Sequence, residues 1–242
     1  MIDLSADGHV HTAFSSGRDS VSVLVAAAEQ AGLTELTFAD RVGPDTSWLP
    51  PYLSSIQRAQ QRTDLVLRRG VEVEAIGIDG WLAFPSDLSG LEVISVGFNR
   101  LPLPAGLLSP DAVRTQIDAG AMRALDVVDQ VVTVTGLAVE RVSRYAPTRL
   151  ARPLDFLIRA GIEESAVPDT AIAELVEACR VNGTVVEISE RHRLPGLRLV
   201  QACIEQGVRL AAASDAVRAG EVGHYRYVRE IADAVQHSPA AA

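Results

Sequence analysis

The sequence predicts an α/β fold built on parallel strands, and three observations carry that reading. Short β-type runs alternate with amphipathic helical windows along nearly the whole chain. Gly32, Gly183 and Gly207 stand where helices stop, each just ahead of or at the start of the next strand. Polar and charged residues recur at the carboxyl ends of apolar runs. Repeated strand–helix alternation joins parallel strands by right-handed crossovers, and six or seven such units close into a barrel or spread into a doubly wound sheet.

The elements follow in order. Residues 2–4 read as strand, and the first strand ends in Asp7-Gly8-His9-Val10-His11. A helix spans 20–31, with Asp19 or Ser20 as N-cap and Gly32 as its stop. Strand-like runs follow at 33–38, 65–74, 91–96, 149–151, 184–188 and 208–212. Helical spacing recurs at 52–62, 111–135, 169–181, 197–206 and about 222–235. Residues 101–110 carry three prolines and read as a loop. No internal repeat or linker divides the chain, so residues 1–236 form one domain and 237–242 a frayed tail.

Composition narrows the class. The 242 residues are 48% hydrophobic and 22% charged, which excludes a disordered, collagen-like or disulfide-framework protein. The net charge is -9, from 31 acids and 22 bases, and every base is Arg. That balance argues against non-specific binding to nucleic acid or an anionic membrane. Cys179 and Cys203 lie in helical stretches and are expected as buried free thiols. The N-terminus lacks a basic segment and an apolar core, and the longest apolar stretch, 127–139, is too short to span a bilayer. The expectation is a cytoplasmic protein.

The candidate chemistry starts at His9 and His11. Side chains alternate along a strand, so two His at i and i+2 face one side, a usual way to hold a divalent metal. Other polar residues fall at later strand ends: Asp40 and Arg41, Glu72 and Glu74, Arg152, Ser189 and Glu190, Ser214 and Asp215. Carboxylates on buried strands cost several kcal/mol unless paired or metal-bound, so the set suggests one convergent polar site.

With these residues in view, the chain resembles the PHP (polymerase and histidinol phosphatase) domain family from Asp7 to about Val235. Asp7-Gly8-His9-Val10-His11-Thr12 is similar to the family's first motif, and Gly32 to Arg41 to its second, which normally ends in Thr-Asp-His. Gly70-Val71-Glu72-Val73-Glu74 resembles the bridging-glutamate motif. Ile94 to Phe98, Leu150-Ala151-Arg152-Pro153 and Ser214-Asp215-Ala216-Val217 resemble three further strand-end motifs. The spacing of Trp48, Pro51 and Tyr52 is similar to the histidinol-phosphatase-like branch.

The resemblance implies a distorted seven-stranded (β/α) barrel with a metal cluster, usually trinuclear, at the strand C-termini, hydrolysing phosphate esters. His9, His11, Glu72 and Asp215 stand at ligand positions, together like the family's set for one metal. Ser16, Arg41, Gly97, Arg152 and Val217 depart from the family's ligands. What is implied is a degenerate phosphoesterase with at most one metal site. One divalent ion (Zn, Mn or Fe) would supply the water that attacks phosphorus in a small phosphorylated substrate. Arg41 and Arg152 would neutralise the phosphoryl oxygens, and Asp40 would orient a ligand from behind.

Two alternatives use the same residues. Without metal, Arg41 and Arg152 pair with Glu72 and Asp215, giving a pseudoenzyme that serves as a binding or regulatory module with a protein partner. A mononuclear amidohydrolase also starts with His-x-His, but needs further strand-end His. Only His192, His224 and His237 remain; His192 follows a strand by several residues and could approach the mouth, but reads as a solvated loop residue. The binuclear amidohydrolases need a carbamylated Lys, which a chain without Lys cannot supply.

Overall fold

Seven parallel strands curl round a polar interior in the computed structural model, which describes residues 2–237. The chain runs β1 (Ala6–Val10), α1 (Val21–Gln30), β2 (Glu35–Val42), α2 (Leu49–Gln60), β3 (Val66–Glu74) and β4 (Val93–Gly97). A hairpin of β5 (Leu101–Leu103) and β6 (Gly106–Leu108) leads to α3 (Pro110–Asp118) and α4 (Ala124–Ser143). Then come β7 (Thr148–Leu150), α5 (Asp155–Arg159), α6 (Asp169–Val181), β8 (Val185–Ser189), α7 (Leu197–Glu205), β9 (Leu210–Ala213) and α8 (Tyr227–His237).

The sheet order is β1-β2-β3-β4-β7-β8-β9, parallel throughout. The residues just after β9 return to β1. Asp215 N–H donates to the His9 carbonyl at 3.0 Å, and His11 N–H donates to the Ala216 carbonyl at 2.9 Å. Val10 and Ala216 form a parallel bridge. The result is a nearly closed, distorted (β/α) barrel, as the resemblance implied.

The helices cover the barrel because their apolar residues fall on one face. Helix α1 buries Val21, Leu24, Val25 and Ala28, and α6 buries Ala171, Ile172, Leu175, Val176 and Cys179. Strand residues such as Val71, Val73, Ile94 and Val96 lie beneath them. Each fully buried Val, Leu or Ile contributes about 1.5–3 kcal/mol. Cys179 and Cys203 are buried and free, as expected.

Several element boundaries differ from the sequence reading. Residues 2–4 are not a strand: the Asp3 carboxylate accepts from both Ser5 N–H and Ser5 Oγ, a turn that delays the strand to Ala6. Ile2 instead packs with Val200, Val228 and Ile231. The helix expected over 111–135 is two helices, because Gly120 takes φ +70° and ends α3. The proline-rich 101–110 segment holds the β5–β6 hairpin. The last helix starts at Tyr227, after a 3₁₀ turn at Ala219–Glu221. His237 belongs to that helix and not to the tail, and 238–242 lie outside the described residues. Among the described residues, no helix is long and apolar enough to cross a membrane.

Candidate metal centre

The strand ends bring His9, His11, Glu72, Arg152 and Asp215 to one place. His9 closes on the barrel interior from β1, Glu72 from β3, Arg152 from the turn after β7, and Asp215 from the turn after β9. All five are buried. One ligand atom each from His9, His11 and Glu72 lie within 4.8 Å of one another. The two imidazoles meet edge to face, with centroids 4.8 Å apart.

Arg152 reaches between the two carboxylates. Its Nη1 donates to Glu72 Oε2 at 3.0 Å and its Nη2 donates to Glu72 Oε1, a bidentate pair. Nη1 also lies 3.4 Å from both Asp215 oxygens. The Arg152 side chain is 3% exposed. Arg41, in contrast, is 46% exposed and holds Nε 3.5 Å from Glu72 Oε2. The predicted arginine–carboxylate pairing is therefore present, tight at Arg152 and loose at Arg41.

The imidazoles are not satisfied in the same way. His9 Nδ1 is 2.8 Å from Glu187 Oε2. His9 Nε2 and both nitrogens of His11 make no hydrogen bond, although they are buried. His9 Nε2 sits 3.3 Å from Glu72 Oε2, and His11 Nε2 sits 3.4 Å from Asp215 Oδ1. Orphaned buried ring nitrogens beside carboxylates are what a cation site requires.

Electrostatics point the same way. Burial opposes ionisation of Glu72, but the Arg152 guanidinium outweighs it and holds the carboxyl well below its ordinary range. Asp215 is held well below its range as well, against burial, by His9 and Arg152. Burial opposes a charge on His9, yet Glu187 and Asp215 raise it to about 10. Around the two imidazoles stand three buried carboxylates, Glu72, Asp215 and Glu187, and one buried guanidinium, Arg152. Imidazole nitrogen and carboxylate oxygen are donors that suit a divalent ion, so the residues present fit one such ion.

Asp40 lies behind the loop that follows His11. Its carboxylate accepts Thr12 N–H at 3.0 and 3.1 Å and the Ser15 hydroxyl, and Ser15 Oγ accepts Arg41 N–H at 3.1 Å. Asp40 thus fixes the loop after His11. Gly17 closes that loop, since a Cβ there would lie 2.1 Å from the His11 carbonyl oxygen. Of the positions at which the resemblance implied ligands, Ser16 is exposed and Val217 donates its N–H to Glu221. A Cβ on Gly97 would meet Glu72 Oε1 at 2.5 Å.

Sequence reasoning missed three contributors. Glu187 is a buried carboxylate on β8, and it also accepts the Ser95 hydroxyl at 2.8 Å. The signal was present: an acid set between apolar strand residues, as at Glu72. His192 is not a solvated loop residue. It reaches the mouth, with Nδ1 3.2 Å from Asp155 Oδ1 and Nε2 3.9 Å from Asp215 Oδ2. Asp155, buried at the start of α5, is the third.

Neither a protein-family model nor a curated protein sequence matches the chain. Solved structures do. The fold is similar to that of a protein assigned as the histidinol phosphatase HisK of Listeria monocytogenes, with TM-score 0.65 and 15% identity over 90% of this chain and 97% of that one. It is also similar to histidinol phosphate phosphatase (HisK) of Lactococcus lactis subsp. lactis, with TM-score 0.63 and 15% identity over 96% of this chain and 91% of that one. The Lactococcus structure is a complex with zinc, L-histidinol and phosphate. At that identity the likeness is one of fold: the chain shares the distorted (β/α) barrel of these two structures.

Proposed function

We propose that this chain, folded as a HisK-like barrel, is a metal-dependent phosphoesterase with a single metal site, acting on a small phosphate monoester. The observation that carries the reading is the trio of unpartnered, buried imidazole nitrogens on His9 and His11 beside Glu72. His9, His11 and Glu72 would hold the ion, with Asp215 beside them. A divalent ion there supplies Lewis acidity and lowers the pKa of a water molecule.

The chain's own residues supply the rest. Arg41 is half-exposed and only loosely paired, so its guanidinium is available to a phosphate's oxygens. Arg152 is engaged by Glu72 and Asp215, and it offsets negative charge from inside the site. His192, held by Asp155, lies at the mouth where the rest of a substrate would pass. Asp40 and Gly17 keep the loop after His11 tight against the site.

The test is metal content and turnover together. Protein purified without chelator and supplied with Zn, Mn or Fe is expected to hold about one equivalent and to release phosphate from monoesters, histidinol phosphate being tried first. A His9→Ala, His11→Ala variant is expected to lose both. Loaded protein that cleaves no phosphate ester would refute the activity.

A second reading rests on Arg152. Its guanidinium stands between Glu72 and Asp215, as an internal cation would. If no ion binds even after reconstitution, the site is an arginine-neutralised pseudo-site and the protein acts through a partner.

A further inference from the structure

We infer that Glu187 is a positioning residue for the metal ion: it fixes the His9 ring so that Nε2, rather than Nδ1, is presented to the cation. The inference rests on the metal-binding reading above.

The argument starts from hydrogen-bond inventory. An ionised carboxylate accepts and cannot donate. Glu187 Oε2 lies 2.8 Å from His9 Nδ1, so in the neutral ring the proton belongs on Nδ1. The lone pair is then on Nε2, the nitrogen with no hydrogen-bond partner, 3.3 Å from Glu72 Oε2. Ligating imidazoles commonly give their second N–H to a carboxylate in this way, which sets tautomer and ring orientation.

Glu187 is itself held. Its other oxygen accepts the Ser95 hydroxyl at 2.8 Å. The chain Ser95, Glu187, His9 therefore joins β4, β8 and β1 through the barrel interior. Both Glu187 oxygens are engaged, and the carboxylate meets the His9 ring on the side away from Glu72. It is placed to orient a ligand and not to serve as one. On the other side, the His11 ring packs against His9 at an interplanar angle of 70°.

The test compares the full chain with Glu187→Ala, Glu187→Gln and Ser95→Ala. The probes are Co²⁺, followed by its visible spectrum, and Zn²⁺, whose Kd is set by competition. Glu187→Ala is expected to weaken ion binding about 10–100-fold and to change the Co²⁺ spectrum. Glu187→Gln keeps an acceptor for Nδ1–H and is expected to lose only several-fold. Ser95→Ala, which frees one Glu187 oxygen, is expected to lose least. A purely structural role would lower Tm in all three while leaving Kd and spectrum unchanged, and that result overturns the inference. If Glu187→Ala fails to fold, unchanged Kd and spectrum in Glu187→Gln overturn it equally. Wild-type protein that binds neither ion removes the metal reading, and this inference with it. Wild-type binding with unaltered variants removes this inference alone.

Discussion

Arg152 and Asp215 face each other across the barrel mouth with both backbones in the left-handed region, at φ 47° and 56°. Such a conformation costs a non-glycine residue about 1–3 kcal/mol and persists only where its surroundings fix it. Here they do. Glu72 grips the Arg152 guanidinium, while Asp215 is tied by its N–H to the His9 carbonyl and by Ser189 Oγ and Arg191 Nε. The strain sits on the two residues that would share the site with a cation.

Removing Arg152 tests how the charge is balanced. Arg152→Met leaves Glu72 and Asp215 buried without their guanidinium, and breaking a buried pair costs about 3–5 kcal/mol. Urea denaturation of the metal-free variant is expected to show a loss of that order. Zn²⁺ is expected to restore more stability to Arg152→Met than it adds to wild type, because an ion then replaces the missing cation. Equal gains would mean that Arg152 and the ion do not share those carboxylates.

Arg41 should behave in the opposite way. It is half-exposed and its contact with Glu72 is 3.5 Å, so Arg41→Ala is expected to change stability by less than about 1 kcal/mol. Its effect belongs on the anion. Inhibition by inorganic phosphate is expected to weaken roughly tenfold, the loss of one charge-assisted pair of about 1.5–3 kcal/mol partly offset by solvent. Unchanged phosphate inhibition would remove Arg41 from the site.

Much of this was legible in the sequence, for reasons particular residues make plain. His9 and His11 share a face because strand side chains alternate, and Glu72 and Asp215 fall at the ends of apolar runs. The barrel closes β9 onto β1 and so brings Asp215 beside His9, 206 positions earlier, which no local pattern encodes. Glu187 carried the same signal as Glu72, but its partners His9 and Ser95 lie on distant strands and cannot be read from local pattern. His192 reaches the mouth only because its N–H donates to Ser189 Oγ and its ring to Asp155, contacts set by a turn and a five-residue helix. The hairpin at Leu101–Leu108 was hidden because its prolines mask any alternation.

In metal-free protein the carboxylates around His9 raise it to about 10, against an ordinary value of 6.5. A raised folded value means that protonation stabilises the fold fully below about pH 6.5, and that this contribution is lost as pH rises through 10. Stability of chelator-treated protein is therefore expected to fall across that window, and His9→Gln to flatten the profile. A bound ion needs the neutral ring, so its binding tightens by up to about tenfold per pH unit over the same window. The Tm gap between zinc-loaded and metal-free protein should widen from about pH 7 to about pH 9. A constant gap would show that His9 does not exchange its proton for the ion.

Gly97 offers the sharpest steric test. A Cβ there would meet Glu72 Oε1 at 2.5 Å, Cδ at 3.1 Å and Cγ at 3.3 Å. A flexible side chain would swing aside, but this carboxylate is clamped bidentately by Arg152 and has the His9 ring 3.3 Å from its other oxygen. Gly97→Ala therefore has to move Glu72 away from both. Overpacking of this kind costs about 1–3 kcal/mol, and moving the carboxylate also shifts Oε2, the oxygen beside both imidazoles. The variant is expected to lose stability by that amount and to bind Zn²⁺ more weakly than wild type by at least tenfold in calorimetric titration. Gly97→Ala with wild-type Zn²⁺ affinity would show that Glu72 does not need its present position to ligate, and would take it out of the ligand set.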